Sequence, residues 1–428
     1  MKNSSPTLIY NLFPRVFKTI DDWSSHVEKI ASMNFNSIYV NPFHTVGGSK
    51  SLYAVDDYFK LNPDFLKPGA DPKDFSPLKK FLKKCDKYNI QVYMDLVINH
   101  TANESVLVKE HPEWFKKDEN GNIVHPYAID PANPSNVTVW GDLSEINYDD
   151  NPDMDGLIAF WQKMLSFYQD LGISGYRCDA AYKIPSEVWK TLINTAKKRN
   201  PKSKFLAETL GCTLEQTMAL QDCGFDYLFN SSKWWNFEAP WCIDQHCQFK
   251  SIAPSISFPE SHDTTRLSSD PPGSLHMQKN RYLLSALFSK GLLMPIGYEF
   301  GTPKGLHVVN SSPEDLSEKK WDIQDWISNI NKLKLNTDIL KEEGSWRAVS
   351  GYDWDLLFLI KESNHNSGSL GVVINKDWHN TRNISEHEIP NEISAFKALI
   401  QPFNDPNEKR PNKGPLFLSP SEIALFSN

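Results

Sequence analysis

Eight short apolar segments, most of them separated by amphipathic stretches, are the feature that most limits how this chain can fold. Each has the length and apolar content of a buried strand, and they lie at Thr7–Leu12, Ser37–Asn41, Gln91–Val97, Gly175–Asp179, Phe205–Glu208, Tyr227–Phe229, Ser255–Phe258 and Leu293–Gly297. Strands that alternate with helices predict a parallel sheet, and eight strands are the number that closes a (β/α)8 TIM barrel.

The stretches between these segments predict the helices of the barrel. Their apolar residues stand three and four positions apart, as a helix packed on one face requires. Five stretches are clear enough to bound, at Asp21–Met33, Phe75–Tyr88, Leu157–Leu171, Ser186–Lys198 and Gln278–Ser289.

Two parts of the 428-residue chain fall outside this alternation. Residues 101–151 follow the third strand, are rich in Asn, Asp and Pro, and are too long for an ordinary loop, which predicts an inserted subdomain. Residues 346–428 predict a small antiparallel β-sandwich, because short strands follow one another without a helical pattern. These strands are predicted at Trp354–Ile360, Leu370–Ile374, Ala395–Ile400 and Glu422–Phe426. The barrel then takes residues 1–100 and 152–345.

Composition excludes several classes of function. The net charge is −8, and no sustained basic patch of the kind that binds a nucleic-acid backbone is present. No run of about 18 apolar residues predicts a membrane span, and the first residues lack the apolar core of a secretory signal. The six cysteines show no zinc-binding pattern. We therefore expect a cytoplasmic protein, or one exported without an N-terminal signal, with no metal site indicated by its cysteines and an oligomeric state that the sequence leaves open.

Polar side chains gather at the C-terminal ends of four predicted strands, where a (β/α)8 barrel carries its active site. Taken singly, each has an ordinary explanation, since an Arg-x-Asp pair is usually structural and a lone histidine is usually a loop residue. Their joint appearance at four strand ends indicates a catalytic site. In chain order they are Asp95, His100, Arg177, Asp179, Glu208, His262 and Asp263.

Two of these carboxylates suit the cleavage of a glycosidic bond. One carboxylic acid must protonate the leaving oxygen, and a second carboxylate must attack the anomeric carbon or activate water. Asp179 and Glu208 come from adjacent strands and can flank one bond. Arg177 stands two residues before Asp179, on the same strand face, and favours the ionised form that a nucleophile requires. Asp263 can stabilise a developing positive charge or bind sugar hydroxyls.

Four segments resemble the four conserved regions of the α-amylase superfamily, glycoside hydrolase family 13, in their order and spacing. They read DLVINH from Asp95, GYRCDAAYK from Gly175, FLAE from Phe205 and FPESHD from Phe258. Tyr53 matches the family tyrosine that stacks on the sugar in subsite −1. The insertion resembles the family's domain B, and the C-terminal region resembles its domain C.

This resemblance implies a retaining double displacement on α-1,4-linked glucose. Asp179 would be the nucleophile, Glu208 the general acid/base and Asp263 the transition-state stabiliser. The main hypothesis is thus a hydrolase of the α-amylase type, acting on glycogen, starch or maltooligosaccharides without a required cofactor. The residues that would bind or position the sugar are Tyr53, Asp95, His100, Arg177, Lys183 and His262.

The resemblance also keeps other functions open. The segment EHPEWF from Glu110 is closer to the maltosyltransferase-like branch, which handles maltose 1-phosphate, although that branch's Asn-Pro-His after the nucleophile is replaced by residues 180–182. A transglycosidase of the α-1,4-glucan maltosyltransferase type is therefore the alternative, since only the acceptor of the intermediate differs. A non-catalytic glucan-binding barrel is a third alternative, and the intact set of Asp179, Glu208 and Asp263 argues against it.

Asn99 and the adjacent pair Trp234 and Trp235 keep two interpretations each. The family's structural calcium uses the position of Asn99 together with carboxylates of domain B, but the sequence identifies no such carboxylates. Asn99 therefore fits an ordinary hydrogen-bonding loop residue equally well. Trp234 and Trp235, after the sixth strand, fit either sugar platforms or internal packing.

Overall fold

Eight parallel strands, β1 to β8, close into a barrel in the computed structural model of the chain, which describes residues 5–130, 133–235, 240–349, 355–365, 368–396, 398–400 and 416–427. Each strand pairs in parallel with the next, and β8 pairs with β1. The predicted barrel is therefore confirmed. The strands are β1 Leu8–Leu12, β2 Ser37–Val40, β3 Gln91–Leu96, β4 Gly175–Cys178, β5 Lys204–Ala207, β6 Tyr227–Phe229, β7 Ser255–Ser257 and β8 Gly291–Pro295.

Helices cover the outside of the barrel, and the five predicted ones are confirmed. The longer helices are α1 Ile20–Ser32, α2 Ser76–Lys87, α3 Met154–Leu171, α4 Ser186–Arg199, α5 Trp241–Phe249, α6 Leu275–Phe288 and α7 Gln324–Asn336, with short ones at Val106–Glu110, Leu214–Met218 and Asn391–Ser394. The sequence pattern did not reveal α7, because Asn331 and Lys334 occupy two of its four buried positions. Within the described ranges, no helix has both the length and the apolarity needed to cross a bilayer.

Along each strand, side chains point alternately into the barrel interior and into the layer beneath the helices. Tyr93 and Leu206 belong to the cluster that fills the interior, whereas their strand neighbours pack in the larger cluster outside. Side chains two positions apart on a strand face the same way. Asp95, two residues after Tyr93, and Glu208, two after Leu206, therefore continue the interior face at the C-terminal end of the barrel.

A hairpin between β2 and α2 brings Tyr53 to this end of the barrel. Its strands are His44–Val46 and Val55–Leu61, and Tyr53 stands just before the second strand. The buried residues of that second strand are Val55, Tyr58 and Leu61, three positions apart. The strand therefore lacks the continuous apolar segment by which the barrel strands were predicted.

The insertion after β3 contains two short antiparallel ladders. His100–Ala102 pairs with Leu143–Glu145, and Tyr127–Asp130 pairs with Asn133–Val139. We call the second ladder the outer hairpin. The inserted subdomain was predicted to run from residue 101 to residue 151, and these bounds stay predictions.

The hairpin that precedes α2 is packed tightly on the insertion. A Cβ atom added to Gly47 would lie 2.5 Å from the carboxylate of Glu104 and 2.6 Å from the Cβ of Ala102. Ala54, Ala102 and Leu143 form a small buried cluster at the same contact. Only small residues permit this close approach of the two segments.

Two antiparallel sheets follow the barrel, as a C-terminal β-domain predicts. Their strands are, in sheet order, Ser345–Ala348, Leu356–Glu362, Ser369–Asn375, Ile423–Ser427 and Ala398–Ile400 in one sheet, and Arg382–Ile384 and Leu416–Leu418 in the other. Val373 and Ile384, from different sheets, share one core. Trp354, where a strand was predicted to start, and residue 397, within another predicted strand, lie outside the described residues. The boundary between residues 345 and 346 stays a prediction.

Buried lysines join the larger C-terminal sheet and α7 to the barrel. The ammonium of Lys361 donates hydrogen bonds to the carbonyls of Leu287, Phe288 and Glu342, at 2.9, 3.4 and 3.0 Å. Burial lowers the pKa of Lys361 from 10.5 to about 8, and it lowers that of Lys334 well below its ordinary value. Lys334 likewise donates to three carbonyls.

We expect Lys361→Met to lower the free energy of unfolding in urea at pH 7 by about 1–3 kcal/mol, because three buried carbonyls lose a donor. The control Arg347→Met removes an exposed ion pair with Glu362 on the neighbouring strand and should change stability by less than about 0.5 kcal/mol. Between pH 8 and 10.5 the unfolded chain binds more protons than the folded one at Lys361. Lys361 should therefore add stability to the wild type over this window, and the gain should be smaller in Lys361→Met, which keeps only the contribution of lysines such as Lys334. Equal stability of variant and wild type would contradict the structural role.

Candidate active site

The guanidinium of Arg177 lies at the centre of the C-terminal end of the barrel. Its side chain is only 5% exposed; Nη1 is 3.0 Å from Asp95 Oδ1 and also contacts Asp179. Nη2 lies 4.0 Å from a carboxylate oxygen of Glu208 and 4.0 Å from one of Asp263. Burial by itself would lower the pKa of Arg177, but Asp95 and the other acidic neighbours raise it well above its ordinary value. One cation therefore faces four carboxylates.

The carboxyl group of Glu208 is held by two backbone donors. The N–H of Ala180 donates to Oε2 at 2.9 Å, and the N–H of Leu210 donates to Oε1 at 2.6 Å. Burial raises the pKa of Glu208 to about 7, against the opposing effect of Arg177 and with the support of the negative Asp179. Glu208 can therefore be protonated at neutral pH and lose its proton within the same range, as a general acid/base requires.

Asp95 lies behind the site instead of on its surface. Its side chain is fully buried, where it accepts a hydrogen bond from Tyr39 and one of 2.7 Å from Tyr53 and pairs with Arg177. Burial raises the pKa of Asp95, against the opposing effect of Arg177. The structure thus places Asp95 behind Arg177 and Tyr53, in contact with both, and a direct contact of Asp95 with the sugar stays a prediction.

Tyr53 and His262 form a parallel ring pair beside Asp263. Their ring centroids are 5.8 Å apart with planes at 3°, and the Tyr53 hydroxyl lies 2.6 Å from His262 Nε2. The same nitrogen lies 3.0 Å from Asp263 Oδ2. The side chain of Asp263 is half exposed; its partial desolvation in the cavity would raise its pKa, but His262 and Arg177 lower it overall. Asp263 therefore stays ionised next to the site.

His100 offers an unused ring nitrogen. The residue is buried, burial lowers its pKa, and its Nε2 has no hydrogen-bond partner among the residues that the structure describes. A neutral imidazole with an available nitrogen suits the binding of a sugar hydroxyl.

These residues surround a cavity of about 570 Å³ that opens at the C-terminal end of the barrel. Lys183 stands at its mouth, where Nζ lies 3.3 Å from the carbonyl oxygen of Tyr127 and 5.4 Å from the centre of that ring. His262, like Asp95, does not line this cavity. The predicted residues that do are Tyr53, His100, Arg177, Asp179, Lys183, Glu208 and Asp263.

Sequence reasoning missed the ion pair that shapes the loop after β7. Glu260 and Arg266 are both at most 3% exposed, and their Oε1 and Nη1 atoms lie 2.8 Å apart. Arg266 also donates to the carbonyl of Ile296 at 2.9 Å, at the end of β8. The pair closes the loop that carries His262 and Asp263. A Glu and an Arg that flank the His-Asp pair are visible in the sequence, but their contact depends on how the loop closes.

The two adjacent tryptophans after β6 have different environments. Trp235 is 2% exposed and packs on Phe288 with ring centroids 5.0 Å apart. Trp234 is 50% exposed and lines the cavity. Of the two interpretations, packing applies to Trp235, whereas Trp234 is positioned to contact a ligand.

Asn99 keeps both of its interpretations. Its Oδ1 is buried without a hydrogen-bond partner in the described part of the chain, a feature that a bound cation would explain. Calcium takes about six to eight oxygen ligands, commonly several carboxylates. Among the described His, Cys, Asp and Glu side chains, one group approaches closely enough to share an ion, formed by His111, Glu113 and Asp153. A structural calcium at Asn99 stays a prediction.

Comparison with known proteins links the chain to glucan-active enzymes. A family model described as "Glycogen debranching enzyme, glucanotransferase domain" matches residues 7–123. A protein of Burkholderia pseudomallei named "Alpha-1,4-glucan:maltose-1-phosphate maltosyltransferase" is 23% identical over 427 residues, which cover 96% of this chain and 36% of the relative. A protein of the same name from Picrophilus torridus is 27% identical over 249 residues, or 53% of this chain and 36% of the relative. The chain thus matches about a third of the length of these two relatives.

Solved structures share the fold over nearly the whole chain. An alpha-amylase from Lactobacillus plantarum has a TM-score of 0.75 at 18% identity and covers 99% of this chain and 98% of its own. A noncanonic maltogenic alpha-amylase from Thermotoga neapolitana has a TM-score of 0.72 at 20% identity and covers 100% and 97%. These findings confirm the resemblance that the four sequence segments predict.

The raised pKa of Glu208 can be measured by carbon-13 NMR of labelled glutamate carboxyl groups, with Glu208→Gln to assign the signal. We expect a midpoint near pH 7 in the wild type. Asp179→Asn should lower it, because a neighbouring negative charge is removed. Asp222→Asn, at an exposed position, is the control and should leave it in place. A wild-type midpoint in the ordinary range of glutamate would show that burial does not control this carboxyl group.

Proposed function

We propose that this chain, a member of the α-amylase superfamily (glycoside hydrolase family 13), is a retaining transglycosidase of the α-1,4-glucan maltosyltransferase type. The observation that carries the retaining mechanism is the placement of Asp179 and Glu208 against one guanidinium, with the pKa of Glu208 raised to about 7. That arrangement sets a nucleophile beside a cation and supplies an acid that can be protonated at neutral pH. The choice of transfer follows the names of the relatives. Hydrolysis by the same residues is the second candidate, because Asp263 is 49% exposed and water can enter the cavity.

The first displacement breaks the bond between the anomeric carbon and the leaving oxygen. Asp179 attacks the anomeric carbon and forms a covalent bond, while Glu208 gives its proton to the leaving oxygen. Arg177, fixed from behind by Asp95, holds the carboxylate of Asp179 in place. Asp263 and the face of Tyr53 favour the positive charge that develops on the sugar ring.

The second displacement reverses these roles. Glu208, now ionised, takes the proton of an incoming hydroxyl, whose oxygen attacks the anomeric carbon and releases Asp179. The acceptor is a sugar hydroxyl in transfer and water in hydrolysis, so the chemistry at Asp179 and Glu208 is the same for both. The names of the relatives support transfer, whereas the structural neighbours share the fold alone.

The choice between transfer and hydrolysis can be read directly with maltoheptaose in oxygen-18 water. Transfer should give maltooligosaccharides both longer and shorter than the substrate, with no heavy oxygen at their reducing ends. Hydrolysis should give only shorter products, and each cleavage should place the label at the new reducing end of the fragment that came from the non-reducing side. Mass spectrometry of the product mixture distinguishes the two, and labelled short products alone would replace the transferase proposal with the hydrolase.

The roles of the two carboxylates predict opposite behaviour of their variants. With α-maltosyl fluoride, a donor that needs little protonation, Glu208→Gln should form the glycosyl-enzyme and accumulate it for lack of a base. Asp179→Asn should form none. Intact-mass analysis after rapid quenching detects the added maltosyl group. Near-native turnover of maltoheptaose by Asp179→Asn would show that the nucleophile is assigned wrongly.

Tyr53 should matter through both its ring and its hydroxyl. Tyr53→Ala removes the ring that faces the sugar and should cost about 1–3 kcal/mol of transition-state stabilisation, seen in kcat as well as KM. Tyr53→Phe keeps the ring but removes the hydrogen bond to the buried Asp95, so it should lose part of the same activity. Thermal melts of both variants provide the control. A sharp loss of Tm with unimpaired turnover would mean that Tyr53 only holds the loop.

A further inference from the structure

Arg15 lies directly after β1, on the short turn Pro14–Val16, and its side chain is only 8% exposed. It stands outside the set of residues that line the cavity. Its carboxylate partner among the described residues is Asp64, which is 56% exposed and 3.5 Å away. Burial lowers the pKa of Arg15, and Asp64 offsets this effect only in part. A strong ion pair therefore does not explain why this guanidinium is buried.

Two backbone carbonyls hold the guanidinium of Arg15 instead. Its Nε donates to the carbonyl of Val308 at 2.6 Å, and its Nη2 donates to the carbonyl of Lys50. Val308 belongs to the loop after β8, whereas Lys50 lies between the two strands of the Tyr53 hairpin. A guanidinium carries several N–H donors in a fixed fork, so it can serve two acceptors at once. Arg15 thus joins two segments that lie far apart in the chain.

The turn at Lys50 needs support because its backbone is strained. Lys50 has a φ of 61°, in the left-handed region that a residue with a side chain adopts at a cost in free energy. Its N–H donates to the carbonyl of Gly47 at 3.0 Å and closes the turn. The N–H of Leu52 donates, at 3.2 Å, to the same Val308 carbonyl that accepts from Arg15. The hairpin and the loop after β8 therefore meet at one carbonyl oxygen.

The residues beside these contacts form one wall of the cavity. We call this wall, which consists of Ser51, Tyr53 and Val308, the far wall. In the closed barrel, β1 and β8 lie across from β5 and β4, whose ends carry Glu208 and Asp179. The loops that leave β8 and β2 on either side of β1 therefore bound the cavity opposite the two catalytic carboxylates. A sugar attacked by Asp179 must fit between that carboxylate and the far wall.

We propose that Arg15 is a positioning residue for the substrate, which fixes the far wall by holding the Lys50 turn and the loop after β8 together. This inference rests on the proposed function, because it concerns the cavity in which that reaction takes place. Arg15 does not line the cavity, so it acts on a bound sugar only through the far wall. Without Arg15, two carbonyls lose a charged donor and the strained turn can relax. The bound glucan is then held less tightly.

Arg15→Met tests the proposal in the full chain, because it removes the N–H donors and keeps much of the apolar stem. We expect the KM for maltoheptaose to rise about tenfold. A purely structural loss would lower the folded fraction, and with it the apparent kcat, but would leave KM unchanged. Arg281→Met is the matched control for such a loss, since this half-buried guanidinium lies 5.9 Å from the centre of the Trp378 ring, in the C-terminal β-domain. It should lower Tm and keep the wild-type KM.

Asp64→Asn and Arg15→Lys separate the carbonyl contacts from the ion pair. Asp64→Asn removes only the exposed carboxylate and should keep the wild-type KM. Arg15→Lys keeps the charge but places its donors on one nitrogen, so it should recover only part of the affinity that Arg15→Met loses. An increase in KM for Asp64→Asn as large as that for Arg15→Met would contradict the role of the two carbonyls.

Binding without turnover separates this inference from the proposed function. In the Glu208→Gln background, isothermal titration calorimetry gives the Kd for maltoheptaose, which does not depend on how much of the protein is folded. Adding Arg15→Met should raise this Kd about tenfold, whereas adding Arg281→Met should leave it in place. Equal Kd values with and without Arg15→Met would overturn this inference alone. A raised Kd, combined with a wild type that neither transfers nor hydrolyses maltoheptaose, would overturn the proposed function and keep the role of Arg15.

Discussion

The site depends on burying one guanidinium among carboxylates. A buried cation is tolerated only when paired, and buried carboxylates are tolerated only beside a cation. Arg177 meets both conditions, with Asp95 behind it and Asp179 in front. Because Asp95 also accepts hydrogen bonds from Tyr39 and Tyr53, the same contact fixes the ring of Tyr53, which lines the cavity. Within this arrangement, burial raises the pKa of Glu208 to about 7, whereas His262 and Arg177 lower the pKa of Asp263.

Much of this arrangement could be predicted from the sequence because it follows from local periodicity. A strand alternates its side chains, so Asp179 must face the same side as Arg177, and Glu208 must continue the face of Leu206. Eight strands that close in order then bring residues far apart in the chain to one end of the barrel. The four segments recognised in the sequence are these strand ends, which is why fold and catalytic candidates emerged together.

The other features of the site depend on contacts between residues far apart in the chain, and no local sequence pattern predicts such contacts. Tyr53 reaches Asp95 and His262, 42 and 209 residues away, from a hairpin whose buried positions are spaced by three. The ion pair between Glu260 and Arg266 forms only when the loop after β7 closes on β8. The direction of a loop likewise decides that Trp234 is exposed while its neighbour is buried.

The tight contact at Gly47 has a consequence for how substrates enter and leave. With no room for a side chain between Gly47 and Ala102, the Tyr53 hairpin and the insertion cannot separate without breaking their small buried cluster. Both segments line the cavity, Tyr53 next to the hairpin and Leu143 and Glu145 on the insertion, so they form one continuous wall. We therefore expect a bound sugar to leave the cavity without the Tyr53 hairpin and the insertion moving apart.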